Sequence, residues 1–258
     1  MIVELIGSSG AGKTTLIGLL RRRGGSVGPI VSADDLIMDR PGRRWITNPK
    51  AVNLVADVTV LPSFLRGPDR DREFVRFAFD RLKRHAPTRF ARYNYLREIV
   101  RNVGKHEMAR RAGAKATVLV DEGAVLTAYH LFVYSDASFD QSDLDRFAEL
   151  VPLPDLIVYV TAPLSVLVDR AIRRPDRRRE LATADHAEIE RWIARAGGVF
   201  DGLVASPALR HRTLVVGNAD DSAAGREAVV SRIAAFIDER TQSHDPVDAP
   251  ASPGTGRT

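Results

Sequence analysis

Ile2-Val3-Glu4-Leu5-Ile6-Gly7-Ser8-Ser9-Gly10-Ala11-Gly12-Lys13-Thr14 (residues 2–14) is an apolar run, a glycine-rich loop and a Lys-Thr pair in direct succession. Residues 2–6 have the length and composition of a buried strand. From about Lys13, the residues Leu16, Ile17, Leu19 and Leu20 follow at helical spacing, and Arg21-Arg22-Arg23-Gly24-Gly25 supplies C-terminal cations and a glycine stop. Residues 7–14 fit the spacing G-x-x-x-x-G-K-[ST]. Small residues let the backbone wrap a phosphate, and the helix that follows turns its positive end to the anion. Lys13 reaches the terminal phosphates, and the Thr14 hydroxyl is a ligand for magnesium. Gly7, Ser8, Ser9, Gly10, Ala11, Gly12, Lys13, Thr14 and Thr15 are therefore the candidate nucleotide-binding residues.

Strand and helix patterns alternate along the rest of the chain. A second short strand is expected over 29–32, ending in Ala33-Asp34-Asp35. The stretch ATVLVDEG (116–123) runs apolar and β-branched residues into Asp121, Glu122 and Gly123. DLIVYVTA (155–162) and RTLVVG (212–217) supply two more strands, and helices are expected near 124–134, 141–149, 164–173, 184–204 and up to about Arg240. Strands separated by helices predict an α/β fold with a parallel sheet and helices on both faces. Residues 48–112 read as mostly helical. Asn48-Pro49 suits a helix start, with Ala51, Leu54, Val55, Val58 and Leu61 following at helical spacing. Pro62 and Gly67-Pro68 are expected to break that run, and helices over 69–84 and 88–112 follow, with Phe74, Phe77 and Phe79 read as packing. Trp45 and Trp192 are read the same way. Residues 241–258, with three prolines and two glycines, read as a disordered tail.

Composition bounds the function. The chain has 258 residues, 44% hydrophobic and 28% charged, which is globular, and no stretch of 18 apolar residues offers a membrane span. The first residues show no signal-peptide pattern, so a cytoplasmic location is expected. The absence of cysteine excludes disulfides, thiol nucleophiles and thiolate metal sites. The six histidines show no metal-ligand spacing. The net charge of +5 comes from 33 arginines and five lysines, and from Arg66 to Arg111 basic side chains outnumber acidic ones 14 to 6. That surplus suits a solvated helical face or a surface turned to an anionic ligand.

On residues 7–14 and the elements around them, the chain resembles the P-loop NTPases, and among these the nucleoside and nucleotide kinases, thymidylate-kinase-like and uridine-kinase-like. The likeness spans residues 1–240 in architecture and is specific in four short segments. It implies a three-layer P-loop NTPase fold with a five-stranded parallel sheet, a helical acceptor-side region at 48–112 and an Arg-rich lid at 173–183. VSADDL (31–36) is similar to the S-x-D-D pattern of uridine-kinase-like and nicotinamide-riboside-kinase-like enzymes, which implies Asp34, or else Asp35, as the base that takes the acceptor's proton. The plainer reading of the same segment is a helix cap. Asp121 is the candidate magnesium ligand, with Glu122 beside it as a second ligand, a substrate contact or an activator of water. Thymidylate-kinase-like proteins carry an Arg after the strand-end acid. Gly123 stands here instead, so that arginine's role does not carry over. LSVLVDRAIRRPDRRRE (164–180) resembles the kinases' helix-plus-lid segment, which implies Arg170 and Arg174 as phosphoryl-stabilising residues, with help from Arg177, Arg178 and Arg179. Asn218, after the last strand, is a candidate adenine contact or a helix cap.

The implied activity is transfer of the γ-phosphate of Mg-ATP to a small-molecule hydroxyl or phosphate, with Mg²⁺ as cofactor. The acceptor is a nucleoside, a nucleoside monophosphate or a similar metabolite, and Arg89, Arg92, Tyr93 and Arg97 are acceptor-side candidates. The alternative is a P-loop ATPase with a regulatory or nucleic-acid-associated role, using Glu122 to activate water. Membrane and nucleic acid are not expected as partners, and a homodimer is compatible with the sequence. Ras-type guanine recognition is not expected, because no N-K-x-D motif is present.

Overall fold

The structure is a computed structural model that describes residues 1–24, 29–38, 48–112, 116–134, 138–174 and 184–242. Five parallel strands, β1 (Ile2–Ile6), β2 (Ile30–Ser32), β3 (Thr117–Val120), β4 (Leu156–Thr161) and β5 (Thr213–Gly217), form one sheet in the order β2-β3-β1-β4-β5. β1 is central, and its side chains are buried on both faces, as a run apolar except for Glu4 predicts. Val3 pairs with Leu119 on one side and with Leu156 on the other.

The two-residue period of the strands divides the core. Val3 and Leu5 of β1, with Val158 and Val160 of β4, pack against Leu16 and Leu20 of α1 (Lys13–Arg23) and Ile233 of α10 (Ala223–Gln242). Ile6, Ile157 and Tyr159 point the other way, into a larger aromatic core with Phe74, Tyr129, Phe132, Phe147 and Phe200. Those rings come from α4 (Asp69–His85), the 125–133 turns, α6 (Gln141–Leu150) and α8 (His186–Ala205). The sheet thus has a helical layer on each face, the three-layer α/β arrangement of a P-loop NTPase. No described helix is long and apolar enough to cross a membrane.

Several elements depart from the sequence reading. α3 (Pro49–Leu65) runs through Pro62 without breaking. It is held by α5 (Arg89–Ala112), where Gly104 lies so close to Val60 that a Cβ would sit 2.8 Å from the Val60 carbonyl. Tertiary packing here overrides a missing N–H. The expected helix over 124–134 is a 3₁₀ turn (Val125–Thr127) followed by a π-helical turn (Tyr129–Val133). α2 (Ala33–Met38) begins directly after β2, so Asp34 and Asp35 lie in a first helical turn. Phe74 and Phe77 pack into the aromatic core, whereas Phe79 is largely exposed. α7 (Leu164–Arg173) matches its expectation, and a short α9 (Pro207–Arg210) was not foreseen. α10 extends two residues into the expected tail. Residues 243–258, Trp45 and lid positions 175–183, with Arg177, Arg178 and Arg179, lie outside the described residues.

Candidate functional site

The loop from Gly7 to Gly12 leaves the C-terminal end of β1 and delivers the chain into α1. Gly12 caps α1 with φ of 87°, a left-handed conformation that favours glycine, and its α-carbon faces the Asn218 amide 2.6 Å from where a Cβ would stand. The carbonyls of Gly7, Gly10 and Ala11 are each tied to another part of the chain. The Tyr129 hydroxyl donates to the Gly7 carbonyl at 3.3 Å, and Asn218 Nδ2 donates to the Ala11 carbonyl at 2.8 Å. Arg170 Nη1 donates to the Gly10 carbonyl at 3.4 Å. Ser8 and Ser9 are buried, and Ser8 Oγ donates to the Ile193 carbonyl of α8 at 3.5 Å. Lys13 is 9% exposed and lies back along the loop, with Nζ donating to the Gly7 carbonyl at 2.8 Å and the Ser8 carbonyl at 3.3 Å.

Thr14 and Thr15 open α1 on its exposed side. Thr14 Oγ1 donates to Asp121 Oδ2 at 2.6 Å, joining the loop to the end of β3. A hydroxyl and a carboxylate meeting at a phosphate loop are hard oxygen donors, a set that fits Mg²⁺ completed by phosphate oxygens and water. Glu122 follows, exposed, on the same edge. Among the described residues no cluster of three or more acidic or histidine side chains forms a separate metal cage.

A cavity of about 400 Å³ spreads from this loop, lined by Ser9, Gly10, Lys13, Thr14, Arg174 and Asn218, among others. Arg170 and Arg174 do not play equivalent parts. The Arg170 guanidinium donates to the Asn218 carbonyl at 2.7 Å and pairs with Asp221 at 2.6 Å, so it brackets the phosphate loop to the loop after β5. Arg174 lines the cavity at the end of α7. Asn218 is 5% exposed and acts as a strut for Ala11.

The two aspartates after β2 are also separated by their surroundings. Asp35 closes a reciprocal cap with Ser32: Ser32 Oγ accepts from the Asp35 amide, and Asp35 Oδ2 accepts from the Ser32 amide, both at 3.1 Å. Arg21 also pairs with Asp35, at 2.6 Å. Asp34 keeps a carboxylate 71% exposed and lies 3.6 Å from the ammonium of buried Lys105. The acceptor-side candidates diverge as well. Arg97 and Arg101 both pair with Asp57 of α3, at 2.7 Å and 2.6 Å, while Arg89 and Tyr93 are exposed and Arg92 is half-buried.

A model of the AAA domain family matches residues 2–198. The chain belongs to that family. No curated protein matches the sequence. Among solved structures, a shikimate kinase from Bacteroides thetaiotaomicron aligns at 14% identity and TM-score 0.43, covering 92% of this chain and 98% of its own. A deoxyadenosine kinase from M. mycoides aligns at 13% identity and TM-score 0.47, covering 94% of this chain and 100% of its own. A thymidylate kinase from Ehrlichia chaffeensis aligns at 14% identity and TM-score 0.47, covering 92% of this chain and 98% of its own.

Some residues of this AAA-family site are invisible to motif reading. Glu4, in the middle of β1, is 1% exposed, and its carboxylate accepts from the Leu126 amide at 2.8 Å and the Val125 amide at 3.3 Å. Burial pushes its carboxyl up to about 7, against the opposing pull of those amides and the Lys105 ammonium. The available signal is an acid inside an otherwise apolar strand predicted to be buried on both faces. Lys105 and Tyr129 carried no signal, because each sits in a segment that reads as plain helix.

Proposed function

We propose that this chain is a phosphotransferase that moves the terminal phosphoryl group of ATP to a small-molecule acceptor, a nucleoside, nucleoside monophosphate or similar metabolite. One observation carries the reading. Asp34 presents an exposed carboxylate at the C-terminal edge of the sheet, on the phosphate-loop side, while the neighbouring Asp35 is consumed by a helix cap and an ion pair. An open α/β sheet binds its ligands at this edge.

Lys13 leaves the Gly7 and Ser8 carbonyls and takes the β- and γ-phosphates as its partners. Thr14 and Asp121 would hold Mg²⁺, which when bound neutralises charge on the transferring group. Asp34 orients the acceptor hydroxyl and accepts its proton as the oxygen attacks phosphorus; the bond from phosphorus to the β–γ bridging oxygen breaks, and ADP leaves. Arg174, lining the same cavity, offers a guanidinium to the equatorial oxygens. Arg170 serves at one remove by holding the loop.

A second reading, acceptor-independent ATP hydrolysis with Glu122 activating water, is favoured by the Asp121-Glu122 pair at the strand end and by membership of the AAA domain family. ADP release from Mg-ATP, with and without nucleosides, nucleoside monophosphates, sugars and amino alcohols, separates the two, with Lys13→Ala as the blank. Phosphorylated acceptor together with stimulated ADP release supports the transferase. Hydrolysis indifferent to every acceptor but abolished by Glu122→Gln supports the ATPase.

A further inference from the structure

Glu4 is the most deeply placed charged group near the phosphate loop, and the mechanism above does not use it. It sits two residues before the end of β1, on the face opposite Val3 and Leu5. Both carboxylate oxygens accept main-chain amides, Oε1 from Leu126 and Oε2 from Val125. Gly123 lies directly against the same carboxylate, so closely that a Cβ there would sink into it. Glu4 therefore holds the 123–126 segment by two hydrogen bonds, to Val125 and Leu126, and by close packing on Gly123. That segment follows immediately on Asp121 and Glu122, and Asp121 in turn meets Thr14 at 2.6 Å. Lys105 of α5, 6% exposed, is the cation that offsets the buried charge of Glu4, and it also reaches Asp34 at 3.6 Å.

We propose that Glu4 is a positioning residue for the magnesium-side carboxylates: by clamping the backbone after β3 to the central strand, it fixes where Asp121 stands relative to Thr14. Gly123 belongs to the same device, being the residue that leaves room for the Glu4 carboxylate. The inference rests on the nucleotide-site reading and holds equally for phosphoryl transfer and for hydrolysis. A partner outside the ligand set that orients a metal ligand typically controls metal affinity by roughly 10- to 100-fold.

The test uses the full chain with Mn²⁺ as probe. Binding of Mn²⁺ to the protein–ATP complex is followed by electron paramagnetic resonance, and binding of ATP alone is measured in EDTA. Glu4→Gln keeps the shape but turns an amide NH₂ toward a backbone N–H, and Gly123→Ala displaces the carboxylate from the other side. Both variants are expected to weaken Mn²⁺ binding roughly 10- to 100-fold while ATP affinity in EDTA stays within about 2-fold of wild type. If either folded variant keeps wild-type Mn²⁺ affinity and shows only a lowered Tm, the proposal is overturned. It is also overturned if ATP affinity in EDTA falls in step with Mn²⁺ affinity, because the whole loop rather than the metal side has then moved. A Glu4→Gln chain that fails to fold leaves Gly123→Ala to decide on the same criteria. Wild-type protein that binds ATP in neither condition overturns the nucleotide-site reading itself, and this proposal with it.

Discussion

Asp34 and Asp35 stand side by side in the sequence, yet their surroundings give them different tasks. Asp35 is spent on the Ser32 cap and on Arg21; Asp34 faces outward beside Lys105. Asp34→Asn is expected to lower kcat by about 10²- to 10⁴-fold with ATP affinity little changed, the range of a lost general base. Asp35→Ala is expected to act on stability instead, by about 1 kcal/mol for the lost cap acceptor, read as a lower Tm. Steady-state kinetics and thermal melts on the two variants separate the roles, and a reversed pattern would make Asp35 the base. The pair is the part of the site that sequence could only narrow. Either acid fits the S-x-D-D spacing, and the choice depends on Ser32, Arg21 and Lys105, which converge only in the fold. The glycine loop itself was legible, because its constraints are local: a left-handed turn at Gly12, and a lysine and a hydroxyl one and two residues later.

At the scale of elements, the sheet was readable from four apolar runs and the short 29–32 segment, since parallel strands buried on both faces carry a strong apolar signal. The segment after β3 was not. Residues 124–134 are mostly apolar, which suits a helix, but Tyr129 must reach the Gly7 carbonyl and the chain widens into a π-turn. Pro62 misled in the opposite sense, because the packing of α3 on α5 outweighs the broken hydrogen bond. That contact is testable: Gly104→Ala drives a methyl into Val60 and is expected to destabilise the protein by about 1–3 kcal/mol, measured by denaturant unfolding. The bracket between α7 and the loop after β5 makes a functional prediction. Arg170→Ala removes the support of Gly10 and the tie to Asp221, so ATP affinity should fall roughly 10-fold or more, while Asp221→Asn, which keeps the main-chain contacts of Arg170, should do less. Equal losses in the two variants would show that the ion pair, not the main-chain bracket, supports the loop.

For the whole molecule, stability should depend on pH through a buried group that takes no part in the proposed chemistry. His106 of α5 is buried, and burial lowers it to about 4 against its ordinary 6.5, with Glu107 and Asp155 pulling upward and Arg110 pushing down. The folded chain keeps His106 neutral where the unfolded chain takes up a proton, so this contribution is fully present above pH 6.5 and is lost as pH falls toward 4. The loss is on the order of 3 kcal/mol. Denaturant melts of wild type and His106→Gln between pH 7 and pH 4.5 should converge as the pH drops, and parallel curves would assign the acid sensitivity elsewhere. The strand order has a consequence for biosynthesis. β1, which carries the phosphate loop, is synthesised before both of its neighbours, β3 and β4, whose pairing residues begin at Val118 and Leu156. A nascent chain halted before Leu156 holds the complete phosphate loop and has no sheet on one side of it. Its apolar strand must wait, exposed to chaperones and to aggregation, until β4 has been made.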